Sequence, residues 1–147
     1  MKKIILIMAS ALWLFAGDIL VKKSCVSVDE TAQNIKNIIE KKDLTLFAVV
    51  DHGANASAVN MALGDSKLLI FGSPKMGTLL MLEEKKAGLD LPLKILVYKD
   101  EDKSVKMAYR DAASLANTHQ IDKQKIIAKI DGAMEKITTK ASQCSKD

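Results

Sequence analysis

Apolar residues recur along this chain at two spacings, and the places where one gives way to the other outline a mixed order of strands and helices. Residues 19–27 (ILVKKSCVS) suit a first strand. Ser27 then opens a helix: Ser27 and Glu30 have the S-x-x-E spacing of a capping box, and Val28, Ala32, Ile35, Ile38 and Ile39 share one face at a period of 3.6. Lys41 and Lys42 stand at its end, where the helix dipole favours positive charge. Residues 44–50 (LTLFAVV) form a continuous apolar run rich in strand formers and read as a buried strand.

Residues 54–62 are small and helical in character, with Gly64 as the stop, and residues 67–71 (KLLIF) read as a second buried strand. Ser73 as cap and Pro74 at the first helical position predict a helix to about Ala87, closed by Gly88 in the left-handed conformation. Two runs, 93–99 and 105–110, flank the polar turn 100–104, which predicts a hairpin. In its second arm Val105, Met107 and Tyr109 alternate with Lys106, Ala108 and Arg110, so one face is buried and the other wet. A short helix over 111–117 follows. A long one over about 122–140 carries Ile126, Ile127, Ile130, Met134 and Ile137 as its apolar stripe. With no repeat and no linker, residues 18–147 form one small α/β domain.

The first 17 residues follow a different pattern. Lys2 and Lys3 precede thirteen uncharged apolar residues, 4–16 (IILIMASALWLFA), and Gly17 and Asp18 end the run. At 1.5 Å per residue that run spans about 20 Å, short of the ~30 Å hydrocarbon core of a bilayer. It reads as a signal peptide, residues 1–17, cleaved after export to the periplasm. The alternative is an uncleaved inner-membrane anchor extended by Ile19, Leu20 and Val21. The composition of the whole chain, 48% apolar and 27% charged in 147 residues, is globular. Its net charge is +4, and removing Lys2 and Lys3 leaves +2. Lysines are spread among acids with no basic stripe, which excludes nucleic acid as a partner.

Two cysteines follow the leader, Cys25 and Cys144. In an oxidising compartment they can pair and close a loop of more than 100 residues. The alternative is a free thiol on a polar C-terminal tail. Neither belongs to a C-x-x-C pair, and the chain has only two histidines, so no metal and no cofactor is expected.

Five residues are candidates for a site. His52, between Asp51 and Gly53 at a strand-to-loop edge, suits a general base or a hydrogen-bond donor, or a histidine that satisfies main-chain carbonyls. Ser73 and Lys75 stand at a helix start, where free N–H groups favour an anion. Arg110 has the planar donors that clamp a carboxylate, and Tyr109 can donate beside it unless its alternation with Met107 puts it in the core. His119 reads as a capping or surface residue. The methionines fall on helix and strand faces and read as core filling.

The stretch 51–121 also resembles the domain-of-unknown-function 302 family. The pieces that carry the resemblance are Asp51-His52 followed by small residues, the LIFGSPKMGT segment at 69–78, Leu91-Pro92-Leu93-Lys94, Tyr109-x-Asp111 and His119-x-Ile121. Ser73 stands where the family more often has Asn, and Ala112 where it usually has Pro. No tryptophan lies near Lys106. The resemblance implies a small two-layer α+β domain, a largely antiparallel sheet packed by helices, similar to half of the TATA-binding-protein fold and inclined to homodimerise. It implies no reaction, and fold likeness to a DNA binder does not bring DNA binding. The expectation is therefore an exported homodimeric module that binds a small anion or a partner protein at His52, Ser73, Lys75, Tyr109 and Arg110. One alternative is a cofactor-free enzyme with His52 as general base, oriented by Asp51 or Asp111; the other is a purely structural dimerisation domain.

Overall fold

The computed structural model describes residues 19–144, and the leader read at 1–17 lies outside them. Five strands, β1 (Ile19–Ser24), β2 (Thr45–Asp51), β3 (Ser66–Gly72), β4 (Leu93–Lys99) and β5 (Val105–Arg110), form one sheet in the order β1-β5-β4-β3-β2. Every neighbouring pair is antiparallel. The helices are α1 (Val28–Lys41), α2 (His52–Ala58), α3 (Pro74–Met81), a 3-10 helix (Lys85–Leu89), α4 (Ala112–His119) and α5 (Gln124–Ser142). The domain is α+β, as the family resemblance implied. Among the described residues no helix is long and apolar enough to cross a membrane.

The core lies between one face of the sheet and the pair α1 and α5. Leu69, Phe71, Ile95, Val97, Met107 and Tyr109 meet Ile35, Ile39, Met134 and Ile137, all buried. Strand partners share a face, so the registers also define the opposite side. There Val50, Leu68, Leu96, Ala108 and Val21 run across all five strands as one apolar row. Beside it lies Ala48, Ile70 and Lys94, with Ile19 and Arg110, and on its other flank Ser66, Tyr98, Lys106 and Lys23. Val21 is 53% exposed, and Leu68, Leu96 and Ala108 are only half-buried.

The caps came out where polar side chains announced them. Ser27 accepts from the Glu30 N–H at 3.2 Å, Ser73 from Met76 at 3.4 Å and Asp111 from Ser114 at 2.7 Å. Three expectations need correction. Residues 44–50 are not buried: β2 is an edge strand with Phe47 50% exposed, because an apolar run does not reveal whether a strand has neighbours on both sides. The helix expected to reach Ala87 ends at Met81. A new turn starts at Glu84, whose carboxylate accepts from the Lys86 N–H at 2.9 Å. Gly88 lies inside that 3-10 helix, and among the described residues the left-handed positions fall instead to Asp43, Asn60, Gly64, Lys103, Gln120 and Gln143. α2 stops at Ala58, before the left-handed Asn60, rather than at Gly64.

One corner joins the chain ends. Cys25 and Cys144 form a disulfide across 119 residues, and the Cys25 N–H donates to Ser142 O at 2.8 Å. Next to it the buried Ser24 and Thr31 hydroxyls are 2.7 Å apart. Lys22 Nζ reaches Glu135, which ties β1 to α5 and holds the Glu135 carboxyl below its ordinary range.

Candidate functional site

The β2–β3 ladder decides which candidate residues can meet. It pairs Thr45 with Gly72 at one end and Asp51 with Lys67 at the other. Ser73 leaves from the first end and His52 from the second, so about 20 Å of strand separates them. The β3–β4 and β4–β5 registers bring Arg110 to the Ser73 end. The five candidates therefore do not assemble around one pocket.

At the far end His52 is the first residue of α2 and half-buried. Its neighbour Asp51 is occupied in the fold: the carboxylate accepts from the Ala54 N–H at 2.8 Å and meets Lys67 Nζ at 3.2 Å. That main-chain donor, with Lys67, holds the Asp51 carboxyl below its ordinary range. Lys67 also reaches Asp29 on α1, and the two acids raise its ammonium pKa, the Asp29 contact most. Gly53 is required here, since a Cβ would lie 2.6 Å from Gly64 O. Asp111, the other carboxylate considered as a partner for His52, caps α4 at the opposite end of the sheet.

At the Ser73 end, Tyr109 is 5% exposed and belongs to the core, the alternative its alternation with Met107 offered. Arg110 is exposed. With Lys94, Leu96 and Leu89 it lines a cleft of about 550 Å³ where the strand ends meet α4 and the 3-10 helix. Lys94 donates to Asp90 O at 2.9 Å and Pro92 O at 2.8 Å, and burial holds its ammonium below the ordinary range against the pull of Asp90. His119, largely buried, places Nε2 2.6 Å from Asp90 Oδ2 and so fastens α4 to the end of the 3-10 helix. Lys75 projects into solvent from α3.

Ser73 borders a second, more apolar cleft of about 280 Å³. Phe47 enters it from the bulge in β2, Gly77 and Met81 from α3, Leu91 and the cis-bonded Pro92 from the approach to β4, and Ile130 from α5. A third cleft of about 260 Å³ adjoins it, with Gly72, Ser73, Leu93 and Ile130 as shared walls. Nothing in the sequence alone pointed to Phe47 or Ile130, each of which reads as core. Gly77 did carry a signal, a glycine inside a helix with no turn to make. Among the described residues no three His, Cys, Asp or Glu side chains converge as a metal would need.

The pattern that defines the domain of unknown function DUF302 matches residues 20–137. The fluoride-specific ion channel FluC 1 of Brucella suis biovar 1 (strain 1330) is 36% identical over 95 residues, which are 65% of this chain and 37% of that one. FluC 1 of Brucella abortus biovar 1 (strain 9-941) is likewise 36% identical over 95 residues, 35% of its length. The chain thus spans little more than a third of the curated relatives it matches. Among solved structures, an uncharacterized conserved DUF302 protein from Bacillus stearothermophilus superimposes with a TM-score of 0.74. It covers 84% of this chain and 97% of its own, at 13% identity.

Proposed function

From the premise that the chain belongs to the domain-of-unknown-function DUF302 family, we propose that it is a small binding module that works as a homodimer outside the reducing cytosol. One observation carries the reading: the apolar row Val50, Leu68, Leu96, Ala108 and Val21 lies on the side of the sheet away from α1 and α5. A contiguous apolar surface, here with Lys94 and Arg110 on one flank and Lys106 and Lys23 on the other, is the usual mark of an interaction site. A second copy supplies the same row and closes a two-fold, self-complementary contact.

The Cys25–Cys144 bridge supports the compartment, because such bridges persist where thiols are not kept reduced. Export behind the leader at residues 1–17, removed afterwards, fits that placement. In the Brucella relatives a stretch similar to this domain is part of a chain named as an ion channel, which supports a role beside other protein rather than as a free-standing catalyst.

Light scattering coupled to gel filtration tests the dimer. The wild-type protein is expected to elute as a dimer at micromolar concentration, and Leu96→Asp to convert it to a monomer with an unchanged circular dichroism spectrum. A wild-type monomer at 100 micromolar, on the order of the weakest useful association, defeats the proposal.

A further inference from the structure

Gly77 sits inside α3, where glycine is the poorest helix former after proline. Its φ lies outside the left-handed range, and a Cβ built on it would meet nothing within 4 Å. Neither backbone conformation nor close packing therefore calls for glycine. Gly132 in α5 is equally unhindered, but it faces solvent, whereas Gly77 forms part of the wall of the apolar 280 Å³ cleft. A side chain at this position of the wall would have open space to occupy, and glycine leaves it unfilled.

The adjoining chamber of about 260 Å³ ends at a charged rim, Lys42 and Lys129 against Asp43. Neither lysine is ion-paired among the described residues. The two chambers lie side by side with Gly72, Ser73, Leu93 and Ile130 lining both, and an apolar chamber beside a cationic rim matches a ligand with one apolar and one anionic end. Each chamber is just below the roughly 300–1,000 Å³ that holds a drug-sized molecule, so the occupant is small.

We propose that the paired chambers bind an aliphatic monocarboxylate of about six to ten carbons, with the chain against Gly77 and the carboxylate between Lys42 and Lys129. The assignment rests on the binding-module part of the reading above and is independent of dimerisation.

The test is an amide NMR titration of the purified protein with the straight-chain acids from hexanoate to decanoate, and with octanol. Saturable shifts are expected at Gly72, Gly77 and Ile130, with Kd tightening about fourfold per added methylene until the space is full. Octanol should bind several-fold more weakly than octanoate, since each exposed lysine contributes modestly. Lys42→Gln with Lys129→Gln should erase that difference. Gly77→Leu should abolish the shifts without lowering the melting temperature, and the milder Gly77→Ala should weaken decanoate binding partway.

A series with no dependence on chain length, shifts that survive Gly77→Leu, or octanol binding as tightly as octanoate would each overturn the assignment. Light scattering on the same samples separates the two readings. A dimer indifferent to every acid sinks the ligand alone, and a monomer that binds octanoate sinks the dimer alone.

Discussion

One face of the sheet carries Leu69, Phe71, Ile95, Val97 and Met107, each at most 1% exposed beneath α1 and α5. The other carries Leu68, Leu96, Ala108 and Val21, half-buried or open to solvent. The two sets come from the same strands and alternate residue by residue; along β3 Leu69 and Phe71 face the core while Leu68 and Ile70 face the other way. What separates them is where the connections pass. α1 joins the two edge strands β1 and β2 by crossing one side of the sheet, and α5 returns on that same side, packed against α1 and β1. Both long helices are used there, so the apolar row on the other side remains uncovered by them. Burial here is a property of topology rather than of strand composition.

Substitution on the two faces gives the sharpest contrast. Phe71→Ala should cost about 3–5 kcal/mol in urea unfolding, as expected for a large aromatic removed from a closed core. Leu96→Ala should cost less than half of that in the monomer and act mainly on dimer formation. Equal losses at the two positions would mean that the faces are not energetically distinct.

The bridge that pins the end of α5 to the end of β1 comes next. Cys25→Ser with Cys144→Ser frees a loop of 119 residues, and the loss should be about 2–5 kcal/mol by chain-entropy reasoning. Measured as a fall in melting temperature, it should accompany faster amide exchange in α5 and β1 than in β3 and β4. Uniform loosening of the whole sheet would refute a local clamp over the covered face.

The smallest effect concerns the polar flank of the open face. Asp102 accepts from the Ser104 hydroxyl at 2.5 Å and the Ser104 N–H at 2.9 Å, which together with Lys106 take its pKa to about 2. Lys106 also holds Asp100 below its ordinary value and is itself raised by that partner. A carboxyl depressed in the folded state stabilises the turn fully above its unfolded value of 3.8 and loses that contribution as pH falls toward 2. A carbon-detected titration should put the Asp102 midpoint near 2, with Ser104→Ala moving it upward. A midpoint at the unperturbed value would show that the turn does not hold the group.

Much of this architecture was legible in the residues themselves, and the reason is locality. Ser27, Ser73 and Asp111 marked helix starts because a cap bonds within three residues. The hairpin from β4 to β5 stood at its observed bounds because alternation and turn chemistry act over a few residues. Cys25 and Cys144 posed their pairing as an open question that only distance in space could close. Glu84 was not legible as a new helix start, since a smooth apolar period ran through it. The candidate site fared worst. His52 and Ser73 each follow the C-terminal end of an apolar run, and the antiparallel ladder between those runs places these two ends about 20 Å apart.

The sequence by itself determined most of the elements and three of their caps, because these depend on periodicity and on contacts between near neighbours along the chain; the two-layer class came with the family resemblance. The tertiary structure alone decided which face of the sheet is covered, that β2 lies at the edge, and that Gly77 opens onto a cleft shared by β2, α3, β4 and α5. Those outcomes depend on the order of strands and the side on which helices cross, and no local pattern of residues encodes either.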